Sequence, residues 1–287
     1  GELDAALCLK PTFELPKSVL WHPLRHEPLV VLAPAASAHL GPLELLRTQP
    51  LIRYDRRLGG GKLADDHLRT LGITPLERAK AIQKENGDLP LMVHIGNNPP
   101  DLDEIAERLT AGDIITHCYN GKPNRILTPQ GELRASVTRA ISRGVRLDVG
   151  HGTASLSFAV AKRAIELGIL PHTISSDIYC RNRISGPVHS LANVMSKFLA
   201  IGMSLPQVIE CVTANAADGL RLKQKGRLQV GLDADLTLFT LKRQPTVLVD
   251  AENDSLQAEQ LLVPLAAIRA GKGYMTEQGS AEHAFDF

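Results

Sequence analysis

The chain has 287 residues, 44% of them apolar, enough for one large α/β domain or two smaller ones with a sizeable core. Its 32 basic and 31 acidic side chains leave a formal charge of +1, so nothing in the charge balance points to nucleic acid or an anionic membrane surface. Cys8, Cys118, Cys180 and Cys211 are dispersed, with neither the C-x-x-C spacing of a zinc cluster nor the density of a disulfide scaffold, and a reducing cytoplasm suits them.

Residues 1–56 read as short strands, "LDAALCL", "SVLWHPL", "PLVVLAP" and "PLIRYD", punctuated by Pro and Gly, with one short helix at "PLELLRT". The opening "GELDAALCLKP" lacks the basic region and cleavage motif of a secretory signal. No apolar run reaches the roughly 18 residues of a membrane span. "LGGGK" falls short of the G-x-x-x-x-G-K-[ST] phosphate loop and predicts a tight turn before a helix. From "TPLERAKAIQKE" onward the rhythm becomes apolar strand, polar loop, amphipathic helix. Apolar positions recur at helical spacing in Leu102, Ile105, Ala106 and Leu109, then in Phe158, Ala161, Ala164 and Ile165, as parallel βα units require. The strands between them are "LPLMVHI", "DIITHC", "VRLDVGH" and "HTISSD". Helices follow through "LANVMSKFLAIG" and "LPQVIECVTANAADGL". After Gly226 the pattern turns strand-like in "GRLQVGLDADLTLFTL", "LLVPLAAIRAGK" closes the patterned part, and the tail "EQGSAEHAFDF" is expected to be loose.

Each of the four strands ends in a polar, reactive group: His94, His117, His151 and Asp177, at intervals of 23, 34 and 26 residues. A βαβ repeat takes roughly 30. In a (β/α)₈ barrel the carboxyl ends of all strands open on one face, so these four groups are expected at a common mouth. One histidine at a strand end is most simply a satisfied core residue; three with an aspartate on successive strand ends are not. Imidazole and carboxylate together suit a catalytic zinc or a similar divalent metal, which takes about three protein donors and leaves one position for water. Such a metal polarises a carbonyl and activates water for amide or ester hydrolysis, with Asp177 as the natural proton shuttle.

The motifs "PLMVHIG", "DIITHCYNGKPN", "RLDVGHG", "TISSD", "MSKFLAIGM", "VTANAADGL" and "GRLQVGLDADLTLF" resemble the metal-dependent amidohydrolase superfamily, and within it the dihydroorotase-like amidohydrolase/deacetylase group. The resemblance covers about residues 72 to 275. It implies His94 as the metal ligand of barrel strand 5, His117 as that of strand 6, and Asp177 as the strand 8 ligand and general base. His151 and the "YCRN" segment would lie by the substrate, His151 either packing at the mouth or touching substrate. Arg181 and Arg183 are candidates for holding a substrate carboxylate, or are exposed loop arginines, and Tyr119, Asn120 and Lys122 form a polar loop beside His117. "GLDADLTLF" resembles part of the small β-sandwich that flanks such barrels.

Two family features are missing from the sequence: the H-x-H pair of strand 1, and the strand 4 lysine, for which Lys10, Lys17 and Lys62 are no match. Residues 1–70 instead resemble the effector-binding domain of LysR-type regulators, in "GELDAALCLKP", "LPKSVLWHPLRHEPLVVLAPAASAHLG" and "QPLIRYDRRLGGGKLADDHLR", without the DNA-binding helix-turn-helix. The expected architecture is therefore α/β. A small LysR-like fragment (1–71) precedes the second half of a TIM-type (β/α) barrel with a metal site (72–222), then a β-sandwich remnant (223–275) and a tail (276–287). Four βα units cannot close a barrel that normally takes eight, and open sheet edges invite pairing with other chains, so a homo-oligomer is admissible. The expected activity is hydrolysis of an amide, cyclic amide or acyl ester of a small molecule by zinc or another divalent metal, without nucleic-acid or membrane partners. The alternatives are a ligand-binding regulator fragment and an inactive chimaeric remnant.

Overall fold

The computed structural model describes residues 31–37, 39–49 and 59–282. The predicted strands "LDAALCL", "SVLWHPL" and "PLIRYD" lie outside them, as does the start of "PLVVLAP". The chain divides between Leu89 and Pro90 into two compact units. In the first, a 3₁₀ turn at Ala35–Ser37 precedes α1 (Pro42–Thr48), α2 (Gly59–Thr70) and α3 (Pro75–Glu85). α1 falls on the predicted "PLELLRT". At the start of α3 the Thr74 hydroxyl accepts from the Glu77 N–H (3.2 Å) and Pro75 fills the first position, where a missing N–H costs nothing. The glycines expected to form a turn before a helix are instead the first turn of α2. There the first N–H groups have no intrahelical acceptor in any case, so weak helix formers are tolerated.

The second unit alternates strand and helix: β1 (Met92–His94), α4 (Leu102–Arg108), β2 (Ile114–Thr116), α5 (Ala135–Ser142), β3 (Arg146–Leu147) and α6 (Phe158–Glu166). The strands are parallel in the order β1–β2–β3, with Met92, Val93 and His94 opposite Ile114, Ile115 and Thr116, and Ile114 and Ile115 opposite Arg146 and Leu147. Each helix contributes one apolar stripe to the buried core: Leu102, Ile105 and Ala106 from α4, Val137 and Ala140 from α5, and Phe158, Ala161 and Ala164 from α6. The fourth predicted strand, "HTISSD", is not a regular strand. Thr173 bridges Asp148, and the N–H groups of Val149, His151 and Gly152 donate to the carbonyls of Thr173, Ser175 and Ser176. In the opposite direction His172 and Thr173 both donate to the single Leu147 carbonyl, so the segment runs beside β3 without an alternating ladder.

After this segment come α7 (Cys180–Ile184), α8 (Leu191–Ile201), α9 (Leu205–Val212) and α10 (Ala214–Gly219). α8 begins where the Ser190 hydroxyl accepts from Asn193 N–H (3.0 Å) and ends at Gly202, whose φ of 117° is open to glycine alone. Its residues Val194 to Phe198 are all buried, so the middle of this helix is enclosed on every side. A long antiparallel sheet follows: β4 (Leu236–Val249), β5 (Ser255–Arg269) and β6 (Lys272–Met275), in that order. Pro245 and Pro264 sit at its two register shifts, where a residue with no N–H to donate does least harm. The tail expected to be loose forms α11 (Glu277–Glu282); residues 283–287 lie outside the described part. Among the described residues no helix is long and apolar enough to cross a membrane.

The sheet is tied to the βα arc by two polar links. The Leu262 N–H of β5 donates to the Ser196 hydroxyl of α8 (3.0 Å). Asp250, buried in the β4–β5 turn, accepts from the Phe158 N–H at the start of α6 (2.7 Å) and, through its other oxygen, from Glu252 and Asp254 N–H. α6 makes no side-chain cap of its own at Ser157, so a residue 92 positions away caps it. Asp250→Ala leaves the buried Phe158 N–H without an acceptor. It is expected to lower the unfolding free energy by about 2–4 kcal/mol, measured by urea titration.

Candidate functional site

His94 closes β1 and His117 directly follows β2, and their parallel pairing brings the two rings edge-on with centroids 4.1 Å apart. His117 is buried and its Nδ1 lies 2.5 Å from the Gly150 carbonyl. A carbonyl only accepts, so Nδ1 carries the proton and Nε2 keeps the lone pair. His94 is held below the ordinary histidine range, first by partial burial, then by His117 and the Lys122 charge, with Asp177 pulling the other way. A ring so placed is neutral at neutral pH and has a lone pair to give. The same balance means that Lys122 and Asp177 stand close enough to be felt.

Two of these residues have unusual backbones: His117 at φ 64° and Asp177 at φ 47° both lie in the left-handed region. Non-glycine residues there carry strain, which concentrates at functional sites. Asn182 holds the Asp177 bend, donating from Nδ2 to the Asp177 carbonyl (3.0 Å) and accepting at Oδ1 from Tyr179 N–H (2.9 Å). The turn Gly150–His151–Gly152 makes the close approaches. A Cβ on Gly150 would stand 2.7 Å from His117 Nδ1, and one on Gly152 would stand 2.6 Å from Asp177 Oδ2. At both positions an added side chain would displace one of these two groups, and both have the positive φ that favours glycine.

The arrangement gathers His94, His117 and Asp177 without closing them into one coordination sphere. Among the described residues, the acidic trio Asp250, Glu252 and Asp254 is the group whose ligand atoms all lie within 4.8 Å of one another. In that trio, however, both Asp250 oxygens are already accepting backbone N–H bonds, which makes it a helix cap and turn. The strand-end set has the donor chemistry of a metal site: two imidazoles, one with Nε2 left over from its backbone bond, and an exposed carboxylate.

The other predicted residues fare differently. His151, read as a packing or substrate-contact residue, is fully buried with both nitrogens engaged. Nδ1 meets the Gly152 carbonyl at 2.8 Å and Nε2 meets Lys197 Nζ at 2.7 Å, so nothing remains for a substrate. Burial, then the Lys197 charge, pushes its pKa down to about 4. Tyr119 is likewise a core residue and not a mouth residue: it is fully buried and its hydroxyl donates to the Ile169 carbonyl (2.7 Å) beyond α6. Asn120 is buried and braces the His117 loop, donating to the His117 carbonyl (2.9 Å) and accepting from Lys122 N–H (3.0 Å). Arg181 and Arg183 are exposed on α7, just after Asp177.

Sequence reasoning passed over two buried charges. The Asp148 carboxylate accepts from three hydroxyls: that of Thr116 (2.6 Å) on β2, and those of Thr173 (2.6 Å) and Ser175 (2.7 Å) on the irregular fourth segment. Lys197 of α8 is 1% exposed and donates to His151 Nε2 and the Pro187 carbonyl (2.6 Å). Burial lowers its pKa to about 7, partly offset by Asp250. A lone lysine inside the apolar run "VMSKFLAI" was the available signal.

Comparison with known proteins covers most of this unit. The model of the amidohydrolase family matches residues 75–260. A deacetylase of Enterococcus faecalis is 45% identical over 204 residues, covering 71% of this chain and 55% of that protein. A crystal structure of an adenine deaminase superposes with a TM-score of 0.70 at 44% identity, covering 71% of this chain and 56% of that one. A dihydroorotase structure gives 0.64 at 38%, covering 70% and 55%. The chain thus spans about half the length of the curated relatives it matches. These likenesses carry the amidohydrolase part of the sequence reading and leave the regulator-like reading of residues 1–70 without support.

The buried His151 sets a pH dependence. In the unfolded chain it titrates near 6.5 and in the folded protein near 4, so between those values the unfolded state binds the extra proton. Stability is therefore expected to fall by about 3 kcal/mol as pH drops from about 6.5 to 4. His151→Gln, which cannot titrate, should flatten that segment of the urea-midpoint profile.

Proposed function

The chain belongs to the amidohydrolase family, and on that premise we propose that it is a metal-dependent hydrolase that cleaves an amide, cyclic amide or acyl ester bond with activated water. The observation that carries the reading is the meeting of His94 and His117, rings 4.1 Å apart, beside the strained Asp177. In this reading His94, His117 and Asp177 hold one divalent ion, zinc or a similar metal, and leave a position for water. When bound, such an ion supplies Lewis acidity toward water and a substrate carbonyl. Three of the relatives are named deacetylases and a structural neighbour a dihydroorotase, which favours acyl–nitrogen or acyl–oxygen cleavage of a small molecule.

The chain's own residues divide the remaining work. Gly150 orients His117 through its carbonyl, which fixes the tautomer whose Nε2 can donate to a metal. Lys122, with its aliphatic stem 3.0 Å from where a Gly96 Cβ would be, places a positive charge near His94 that adds to burial and to His117 in holding the ring's pKa down. In this reading the exposed Asp177 carboxylate would take a proton from the attacking water and return it to the leaving nitrogen or oxygen. Arg181 and Arg183, on α7 just after Asp177, are the candidates for a substrate carboxylate. The donor chemistry of these three residues matches one bound ion, around which their ligand atoms would have to draw together.

Metal content after growth with zinc, and titration of the metal-stripped protein, test the reading. The expected result is one divalent ion per chain, with His94→Ala and His117→Ala each weakening binding at least 10- to 100-fold. Hydrolysis of N-acyl or O-acyl substrates should be lost in Asp177→Asn. A wild-type chain that binds no metal at micromolar zinc overturns the proposal.

A further inference from the structure

Resting on the metal reading above, we infer that Lys197 is a positioning residue: from α8 it clamps the Gly150–His151–Gly152 turn, and through that turn it sets the orientation of both His117 and Asp177. The geometry is a chain of direct contacts. Lys197 Nζ donates to His151 Nε2 (2.7 Å) and to the Pro187 carbonyl (2.6 Å), which fixes the ammonium from two sides. With Nε2 accepting, the His151 proton is on Nδ1, which donates to the Gly152 carbonyl (2.8 Å). The ring is thus pinned at both nitrogens inside a fully buried pocket.

The backbone on either side of His151 holds the two outer groups. Gly150 presents its carbonyl to His117 Nδ1 at 2.5 Å. Gly152 lies so close to Asp177 that an added Cβ would be 2.6 Å from Oδ2. The His151 and Gly152 N–H groups are meanwhile bound to the carbonyls of Ser175 and Ser176, immediately before Asp177. A shift of the His151 ring therefore moves a carbonyl that aims one donor and a Cα that backs another. Without the ring pinned, two glycines at positive φ have no side chain of their own to hold this turn. A lysine amine buried away from the mouth is an expensive group to place there, and its partners are the turn and Pro187.

The test uses the full chain with Lys197→Met, which keeps the volume and removes both donations. Two readouts are taken: cobalt(II) titration followed by visible absorption, and side-chain ¹⁵N NMR of the histidines in the metal-stripped protein. The expected result is a folded variant whose cobalt affinity falls 10- to 100-fold with an altered absorption band. Its His151 proton should redistribute between the ring nitrogens, and its His117 Nδ1–H signal should lose the signature of the bond to Gly150. Unchanged cobalt affinity in the face of an altered His151 signal overturns the inference, since Lys197 then only fills space. Failure of the metal reading shows separately, as a wild-type chain that does not bind cobalt. In that case the His117 signal decides, and its persistence in K197M overturns the inference. Should K197M not fold, Lys197→Gln, with a shorter amide donor, is measured in the same two ways: weakened cobalt binding with a changed His117 signal supports the inference, and wild-type values of both overturn it.

Discussion

A single buried carboxylate organises the floor of the site. Asp148 extends past β3 and cannot remain charged in the interior without donors, and it finds three, on Thr116, Thr173 and Ser175. Hydrogen bonds to a charged acceptor are the stronger kind, so they tie β2, the continuation of β3 and the segment beside it at one level. Two of the donors stand just before a strand-end residue: Thr116 immediately before His117, and Ser175 shortly before Asp177. Fixing the level of these donors fixes where the chain turns upward into the mouth. The irregular fourth segment, which forms no full ladder, is held by this carboxylate in addition to its backbone bonds.

Above that floor the site is built from exceptions to ordinary backbone geometry. His117 and Asp177 bend into the left-handed region at the points where a strand would otherwise continue, and Gly150 and Gly152 make room for them. Parallel register supplies the rest. His94 pairs with Thr116, so the ring at the end of β1 arrives beside the residue after β2, although 22 positions separate the two strand residues. Pairing of neighbours converts a repeat in the sequence into proximity at one end of the sheet.

The sequence could reveal that repeat and little of what satisfies it. Alternation of apolar runs and helical stripes placed β1, β2, β3, α4 and α6, because those patterns depend on burial of one face and are local. His94, His117 and Asp177 stood out because each ends such a run. His151 stood out for the same reason, and here the signal misled: strand-end position says nothing about which way a ring turns, and this one turns inward to Lys197. Tyr119 was drawn to the mouth by its neighbour His117, while its own hydroxyl found the Ile169 carbonyl fifty residues away. Asp148 was hidden within an apolar strand, since its donors are 25 to 32 positions away in sequence. The glycines of α2, read as a tight turn, and the tail, read as loose, show the converse limit: both segments are helical.

The small sheet belongs to the same mechanical system as the mouth. Successive residues on a helix point about 100° apart, so neighbours on α8 serve different partners. Ser196 accepts from Leu262 of β5, and Lys197 reaches in the other direction to His151. Asp250, from the turn that joins β4 to β5, caps α6 and also steadies the Lys197 charge. Two links from the sheet thus end on α6 and α8, the helix that follows the Gly150–Gly152 turn and the helix that clamps it. Because the middle of α8 is enclosed on every side and packed against β5, it is a rigid beam with the sheet at one flank and the imidazole at the other. The long antiparallel ribbon, far from the strand ends in sequence, is in this sense part of what holds them in place.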